Sequence, residues 1–328
     1  MFTWSNGFQH ASAVAATALG SYCMTKRQAV AIICLFEIAG AMLGGSAVAD
    51  AVRSLCKWPE EPSLLPILCS ALLAAIIWNF MARKVKMPAS STHALLGGII
   101  GALVAAAPGL RYVEMGRLNL LHPTGVVGAV VSLFLSPVLG FVVAFGLYHF
   151  VILVCLRANN RINKTFKSLQ FFTTALLAFG DGQNDTQKTM GLAVLALNAA
   201  GYLVGTDIPL WVRALIAVAM GAGAFFMSPG LVSELARHVY KLSRLHACVA
   251  EASGAAVLIA NSLVGGPVSS SQVIAASIVG GAVPQRLGGV HWQVVRNILL
   301  SWLVTIPTVG LLAAIIYTCG FRWFGNLG

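Results

Sequence analysis

Between residues 180 and 191 the chain reads GDGQNDTQKTMG, which sets Asp181, Asn184, Asp185 and Lys188 inside an otherwise apolar stretch. A charged side chain in the middle of a bilayer costs at least about 2.5 kcal/mol, so an acid kept there marks a pathway or a site. An ionised aspartate can hold a cation and can also accept a proton from a hydroxyl-bearing oxyanion. Gly180, Gly182 and Gly191 permit either a helix break, which exposes backbone amides and carbonyls as ligands, or the close approach of a neighbouring helix. Gln183, within the same run, is a supporting polar residue.

Two further stretches carry hydroxyls. MPASSTH contains Ser90, Ser91 and Thr92 followed by His93, and GPVSSSQ contains Ser269, Ser270 and Ser271 followed by Gln272. Each triplet follows a proline and precedes a short apolar run rich in Gly and Ala. Ser and Thr cap helix starts, and the free amides and positive dipole end of a helix start suit an oxyanion. Two such starts, entering from opposite faces as re-entrant helical hairpins, form a neutral cradle for a tetrahedral anion without a buried arginine. The alternative is that these hydroxyls only bond back to their own backbone. Beside carboxylates the anion must carry a proton to donate: phosphate does near neutral pH, whereas sulfate does not and is repelled. His93 is placed to hydrogen-bond the hydroxyls.

The elements that must position these groups are membrane helices. The chain has 328 residues, 58% hydrophobic and 9% charged, with mean hydropathy +0.83, where soluble domains carry roughly 25% charged residues. Apolar runs occur at 28–52, 63–82, 124–156, 170–200, 209–228, 246–264 and 294–319, with shorter ones at 92–107 and 272–283. A span needs about 20 such residues, and the roughly ten-residue alternation of a lipid barrel is not visible. The reading is an all-α polytopic protein of the lipid bilayer, multi-pass, in the cell inner (plasma) membrane. Its net charge of +11 is confined to short connectors such as MARKVK, RANNRINKTFK and ARHVYKLSR, as positive-inside topology requires, so no nucleic-acid partner is called for. Seven cysteines lie mostly in apolar runs without CxxC spacing and are treated as small buried hydrophobes. The N-terminus does not have the form of a signal peptide. Trp4, Trp58, Trp211, Trp292 and Trp323 stand near span ends, His149 at a helix end. Glu37 and Glu251 fall within predicted spans and could pair with basic groups, bind ions or anchor helices.

Both kinds of motif occur twice and in the same order. NGFQHASAVAAT aligns with DGQNDTQKTMGL, matching Gly7 to Gly182 and Gln9-His10 to Asn184-Asp185; the proline–hydroxyl segments match Pro88 to Pro267 and His93 to Gln272. Counting spans between basic connectors places the two halves upside down. Residues 1–156 form one inverted transmembrane repeat, 157–169 a basic cytoplasmic connector and 170–328 the second repeat. Inverted-topology repeats with broken helices that meet near the midplane are the pattern of a secondary transporter.

At these residues the chain resembles the inorganic phosphate transporter family. FGDGQNDTQKTMG resembles its Gly-x-Asn-Asp-x-x-Lys signature, MPASSTH and GPVSSSQ resemble its paired proline–hydroxyl motifs, and RLHACVAEASGAAV and HWQVVRNILLSWLVTIP resemble further segments. The resemblance implies import of inorganic phosphate by alternating access, coupled to a Na+ or H+ gradient, with no other cofactor, no enzymatic activity and a homodimeric assembly. It implies substrate binding by Asn184, Asp185 and the two hydroxyl triplets, ion coupling through Gln9, His10, Asp181 and Asp185, and support from Gln183, Lys188, His93, Gln272 and Glu251. Three positions depart from the family pattern. Gln9-His10 stands where Asn-Asp is expected, removing a sodium ligand and offering a group that titrates near physiological pH; Gln272 stands where histidine is usual; and only MFTWS precedes the first motif, so the first span is expected to be half a helix short, with its start lying upstream. The alternatives are a sulfate permease of the same family, favoured by the lost carboxylate, or a transport-impaired anion sensor. An intramembrane protease is disfavoured: FGDG is not Gly-x-Gly-Asp, and Ser253 lacks the Gly-x-Ser-Gly pattern.

Overall fold

A computed structural model of the chain describes residues 1–58, 64–84, 90–107, 110–116, 124–156, 162–227, 232, 242–285 and 287–322. Pro88, Trp323 and most of the basic stretches at 83–86, 157–161 and 234–241 lie outside the described residues. Eleven α-helices are described: α1 Phe2–Gly20, α2 Lys26–Leu43, α3 Ala47–Arg53, α4 Leu64–Lys84, α5 Ser91–Ala106, α6 Gly125–Cys155, α7 Ile162–Ala199, α8 Leu210–Phe225, α9 Arg244–Val264, α10 Ser270–Ala282 and α11 Trp292–Tyr317. No strand is present among the described residues.

Local sequence sets the helix ends. Thr25 and Gln28 form a reciprocal capping box at the start of α2, and Ser90 accepts from the His93 amide at 3.2 Å to cap α5. Gly265, at φ +80°, ends α9 in the left-handed conformation that glycine adopts without strain. Ser269 occupies the cap position of α10 but makes no side-chain cap bond.

Four helices, α4, α6, α9 and residues 295–320, are apolar and long enough to cross a membrane, and the bent α2–α3 pair makes a fifth candidate. The runs at 92–107, 209–228 and 272–283 form shorter helices, α5, α8 and α10. At 13 residues α10 is about 20 Å long and cannot cross a ~30 Å hydrocarbon core alone. α1 has 19 residues against 38 in α7. The cysteine expectation needs correction: Cys23, Cys56 and Cys248 are buried, but Cys69 and Cys319 are exposed, since an apolar helix in lipid has no need to hide a thiol.

The break that the glycines of 180–191 would permit is not there. α7 runs unbroken through them, about 57 Å long, and its glycines serve close packing instead. A Cβ on Gly182 would stand 2.2 Å from the Glu37 carbonyl oxygen, and one on Gly191 2.7 Å from that of Ala49. The broken span lies in the other half, where Gly44 and Gly45 separate α2 from α3 and the axis turns by 70°.

The glycine contacts are reciprocal between the halves. Gly7 on α1 approaches the Met220 carbonyl of α8 as Gly182 on α7 approaches Glu37 of α2; Gly40 of α2 meets Phe179 of α7 as Gly223 of α8 meets Trp4 of α1. In the same way α5 packs on α11 and α10 on α6. One large apolar cluster joins α1, α7, α9 and α10, and another joins α4, α5 and the end of α11. The polar groups collect between the clusters.

Such contacts give a direct test. Gly182→Ala, which must push two backbones apart, should destabilise the protein by about 1–3 kcal/mol, read as a lowered thermal midpoint in detergent. Gly146→Ala on α6, with nothing within 4 Å of the added carbon, should leave the midpoint unchanged or raise it slightly.

Candidate functional site

α7 presents Asp181, Asp185 and Lys188 at i, i+4 and i+7, and hence on one helix face. All three side chains are buried. Lys188 Nζ donates to Asp185 Oδ1 at 2.5 Å, to Thr92 Oγ1 at 2.7 Å and to the Val268 carbonyl at 2.6 Å. Thr92 Oγ1 also donates to the Val268 carbonyl at 2.9 Å. The lysine therefore ties α7 to the start of α5 and to the residues just before α10. The ends that carry the two hydroxyl triplets meet at a single ammonium.

His10 projects from α1 into the same cluster. Its Nδ1 stands 2.9 Å from Asp185 Oδ2 and 3.5 Å from Asp181 Oδ1, and its Nε2 is 2.7 Å from Ser91 Oγ. These three side chains are the one group of ligand-type residues close enough to enclose a cation among the described residues. Glu37 of α2 faces Asp181 and Asp185, and neither of its oxygens meets a hydrogen-bond donor. Gln9 is buried beside His10 on α1.

Asn184 Nδ2 donates to Ser262 Oγ at 3.1 Å and to the Gly266 carbonyl at 3.2 Å, leaving its Oδ1 buried without a donor. Ser270 Oγ is buried without a partner, while Ser269 and Ser271 pair at 3.3 Å. His93 Nδ1 lies 2.7 Å from Ser90 Oγ, the contact expected from sequence, and 3.4 Å from Gln272 Nε2. Two residue pairs matched by the internal alignment, His10 with Asp185 and His93 with Gln272, are thus in contact with each other.

Two residues expected here sit elsewhere. Glu251 belongs to a separate cluster about 11 Å along α7 from Asp181, where its oxygens accept from Gln170 at 3.2 Å, Thr173 at 2.5 Å and Thr174 at 3.0 Å. Gln183 lies against the α2–α3 break, its side chain beside Gly44. That break is held by residues the sequence did not single out: Gln187 Oε1 accepts from the Val48 amide at 2.9 Å, and Arg213 Nη1 donates to the Gly44 carbonyl at 2.6 Å. The carbonyls of Val268 and Gly266 were equally hidden, because no sequence signal marks a backbone ligand. Glu37 did carry a signal, a lone acid in an apolar run.

The chain from residue 6 to 313 matches the model of the phosphate transporter family. The chain belongs to the phosphate transporter family. Probable low-affinity inorganic phosphate transporters of Bacillus subtilis and Rhizobium meliloti are each 31% identical to it, across 96% of the chain and 93% and 92% of their own lengths. One from Mycobacterium tuberculosis is 32% identical over 96% of the chain and 74% of its own length. A solved structure titled the sodium-dependent phosphate transporter superposes with a TM-score of 0.85 at 22% identity, covering 99% of this chain and 96% of that one. Membership places the cluster in a multi-pass transporter of the plasma membrane, not in an enzyme.

The buried pair can be tested by double substitution. Lys188→Met alone removes the ammonium from Asp185, leaves only His10 beside that carboxylate and should cost about 3–5 kcal/mol. Combining it with Asp185→Asn should recover much of that loss, seen as a partial return of the thermal midpoint.

Proposed function

We propose that this member of the family imports inorganic phosphate by alternating access and couples that import to protons. One observation carries the reading: Lys188, Thr92 and Ser91 bring hydrogen-bond donors to one buried point, beside carboxylates that can accept a proton. Hydrogen phosphate fits that mixture. Its anionic oxygens take over the Lys188 and Thr92 protons that the Val268 carbonyl otherwise accepts, together with the hydroxyls of Ser91 and Ser270, and its hydroxyl donates to Asp185 or Asn184 Oδ1. The relatives in Bacillus subtilis and Rhizobium meliloti, probable low-affinity inorganic phosphate transporters, support this cargo.

The coupling ion follows from charge balance. Asp181, Asp185 and Glu37 bring up to three negative charges, and Lys188 and a protonated His10 bring two positive ones. Buried charge must be compensated, so one more cation completes the charge balance and has to rearrange when the anion enters. In the solved neighbour, by its title, transport is sodium-dependent; here the imidazole Nδ1 already stands between the two carboxylates that a sodium ion would bridge. His10 also contacts Ser91 and so links any proton it carries to an anion-binding hydroxyl. The set fits a proton better than a hard alkali cation.

The reciprocal packing and the two self-matching contacts support two inverted repeats, residues 1–156 and 170–328 around the 157–169 connector, with α5 and α10 as the helical halves of re-entrant hairpins. Rocking of one repeat against the other opens the midplane point to each side in turn.

Purified protein in liposomes, loaded with labelled phosphate under pH and sodium gradients imposed separately, tests this. Uptake should follow the inward proton gradient, fall as external pH rises and ignore sodium. Asp185→Ala should cut it by on the order of 10- to 100-fold. His10→Asp, which supplies the first-motif carboxylate beside Asp181 and Asp185, should introduce sodium dependence. Uptake of sulfate, or strong inhibition of phosphate uptake by it, would refute the phosphate reading; sodium-driven uptake by the unaltered chain would refute proton coupling.

A further inference from the structure

A cavity of about 580 Å³ lies away from the polar cluster, between α6, α10 and α11. α11 lines it with Trp292, Val295, Leu299, Trp302 and Ile306, a stripe at helical spacing. From Trp292 to Ile306 the stripe runs about 21 Å, somewhat more than half of a ~30 Å hydrocarbon core. The shallow end carries Trp292, half-exposed at the first turn of α11, with its indole donating to the Leu287 carbonyl at 3.2 Å, as an interfacial tryptophan does. The deep end stops at His93 and Gln272, both buried.

The cavity opens sideways. Phe134 and Val138 of α6 and Leu303 of α11 line it and are exposed, which in a membrane protein means exposed to lipid. Trp302, some two-thirds of the way down, has a buried indole N–H with no acceptor, one polar atom left over in an otherwise apolar wall. Apart from His93 and Gln272 the walls are apolar, which excludes an ion route. Arg296 does not line the cavity itself, but it is exposed on α11 directly after the lining residue Val295, one turn along from Trp292 and one turn before Leu299. An arginine keeps its charge and engages phosphate with two parallel donors.

We propose that this cavity is a lipid site that takes one acyl chain of an anionic phospholipid, its phosphate held at the mouth by Arg296 and its tail reaching His93 and Gln272. Length, lateral opening and, among the described residues of α11, the arginine near its interfacial end select this occupant; the volume lies within the usual range of ligand sites, about 300–1,000 Å³. The assignment is independent of which anion the protein carries. It does place the tail of a bilayer lipid against His93, which contacts Ser90, and so brings membrane composition into contact with a hydroxyl-bearing helix start.

The probe is a phosphatidylglycerol with a diazirine on one acyl chain, compared with phosphatidylcholine bearing the same chain, each incorporated with the full-length protein in bilayer discs. After illumination, labelled peptides should concentrate in residues 133–141 and 292–306, with phosphatidylglycerol ahead by about fivefold, the weight of one cation at an anionic surface. Arg296→Gln should bring the two lipids level. Ala276→Trp and Leu299→Trp, which fill the cavity from opposite walls, should remove label from both stretches while label on α8 persists and reports an inserted, folded protein. Equal labelling by both lipids, or undiminished labelling in both filled variants, would overturn the proposal. So would efficient capture of a second copy of the chain by a benzophenone at position 303, since the face would then be an interface between copies.

Discussion

An ammonium and a carboxylate shut away from water set the terms for the rest of the molecule. Lys188 and Asp185 are both buried, and an isolated charge in such a place would be prohibitive. Pairing alone does not satisfy an ammonium with three protons. The other two go to Thr92 and to the Val268 carbonyl, on chain segments far from α7 in sequence. Those segments must be brought within hydrogen-bond length, which requires helices to approach more closely than side chains normally allow. Glycine supplies that freedom at Gly7, Gly40, Gly182 and Gly223, where backbone lies on backbone. The small-residue contacts and the polar centre are therefore one arrangement.

An unbroken α7 suits this centre better than a broken one. Residues at i, i+4 and i+7 share a face only while the helix continues, so Asp181, Asp185 and Lys188 can converge because α7 is straight there. The irregular backbone is assigned to neighbours: the turn at Gly44 and Gly45, and the segment from Gly265 to Ser269 ahead of α10. Orphaned carbonyls at those points are taken by side chains, Gly44 by Arg213 and Val268 by Lys188, as a dry interior demands.

Much of this could be read from residue order. The two hydroxyl triplets, the acid–amide pair and their internal counterparts were conspicuous because polar groups are rare in apolar sequence, and the convergence of Ser91, Thr92, His10 and Asp185 follows that pattern. What could not be read had a physical reason. The glycines of α7 were compatible with a break or with close packing, and only the position of α2 decides between them. Lys188 was read as a supporting residue, since sequence does not reveal which way a long flexible side chain turns. Glu251 was drawn towards the centre by its burial, yet three donors from α7 satisfy it elsewhere. Gln187 and Arg213 have no local mark at all, because their partners are backbone atoms of a remote turn.

His10 and Asp185, matched by the internal sequence alignment, touch each other, as do His93 and Gln272. Were the halves separate and identical chains, each such place would confront its own duplicate: acid against acid, or imidazole against imidazole. Joining them in one polypeptide removes that restriction, since either side can then change alone. An acid opposite a base at two matching positions is an arrangement that no symmetric pair of identical subunits could offer.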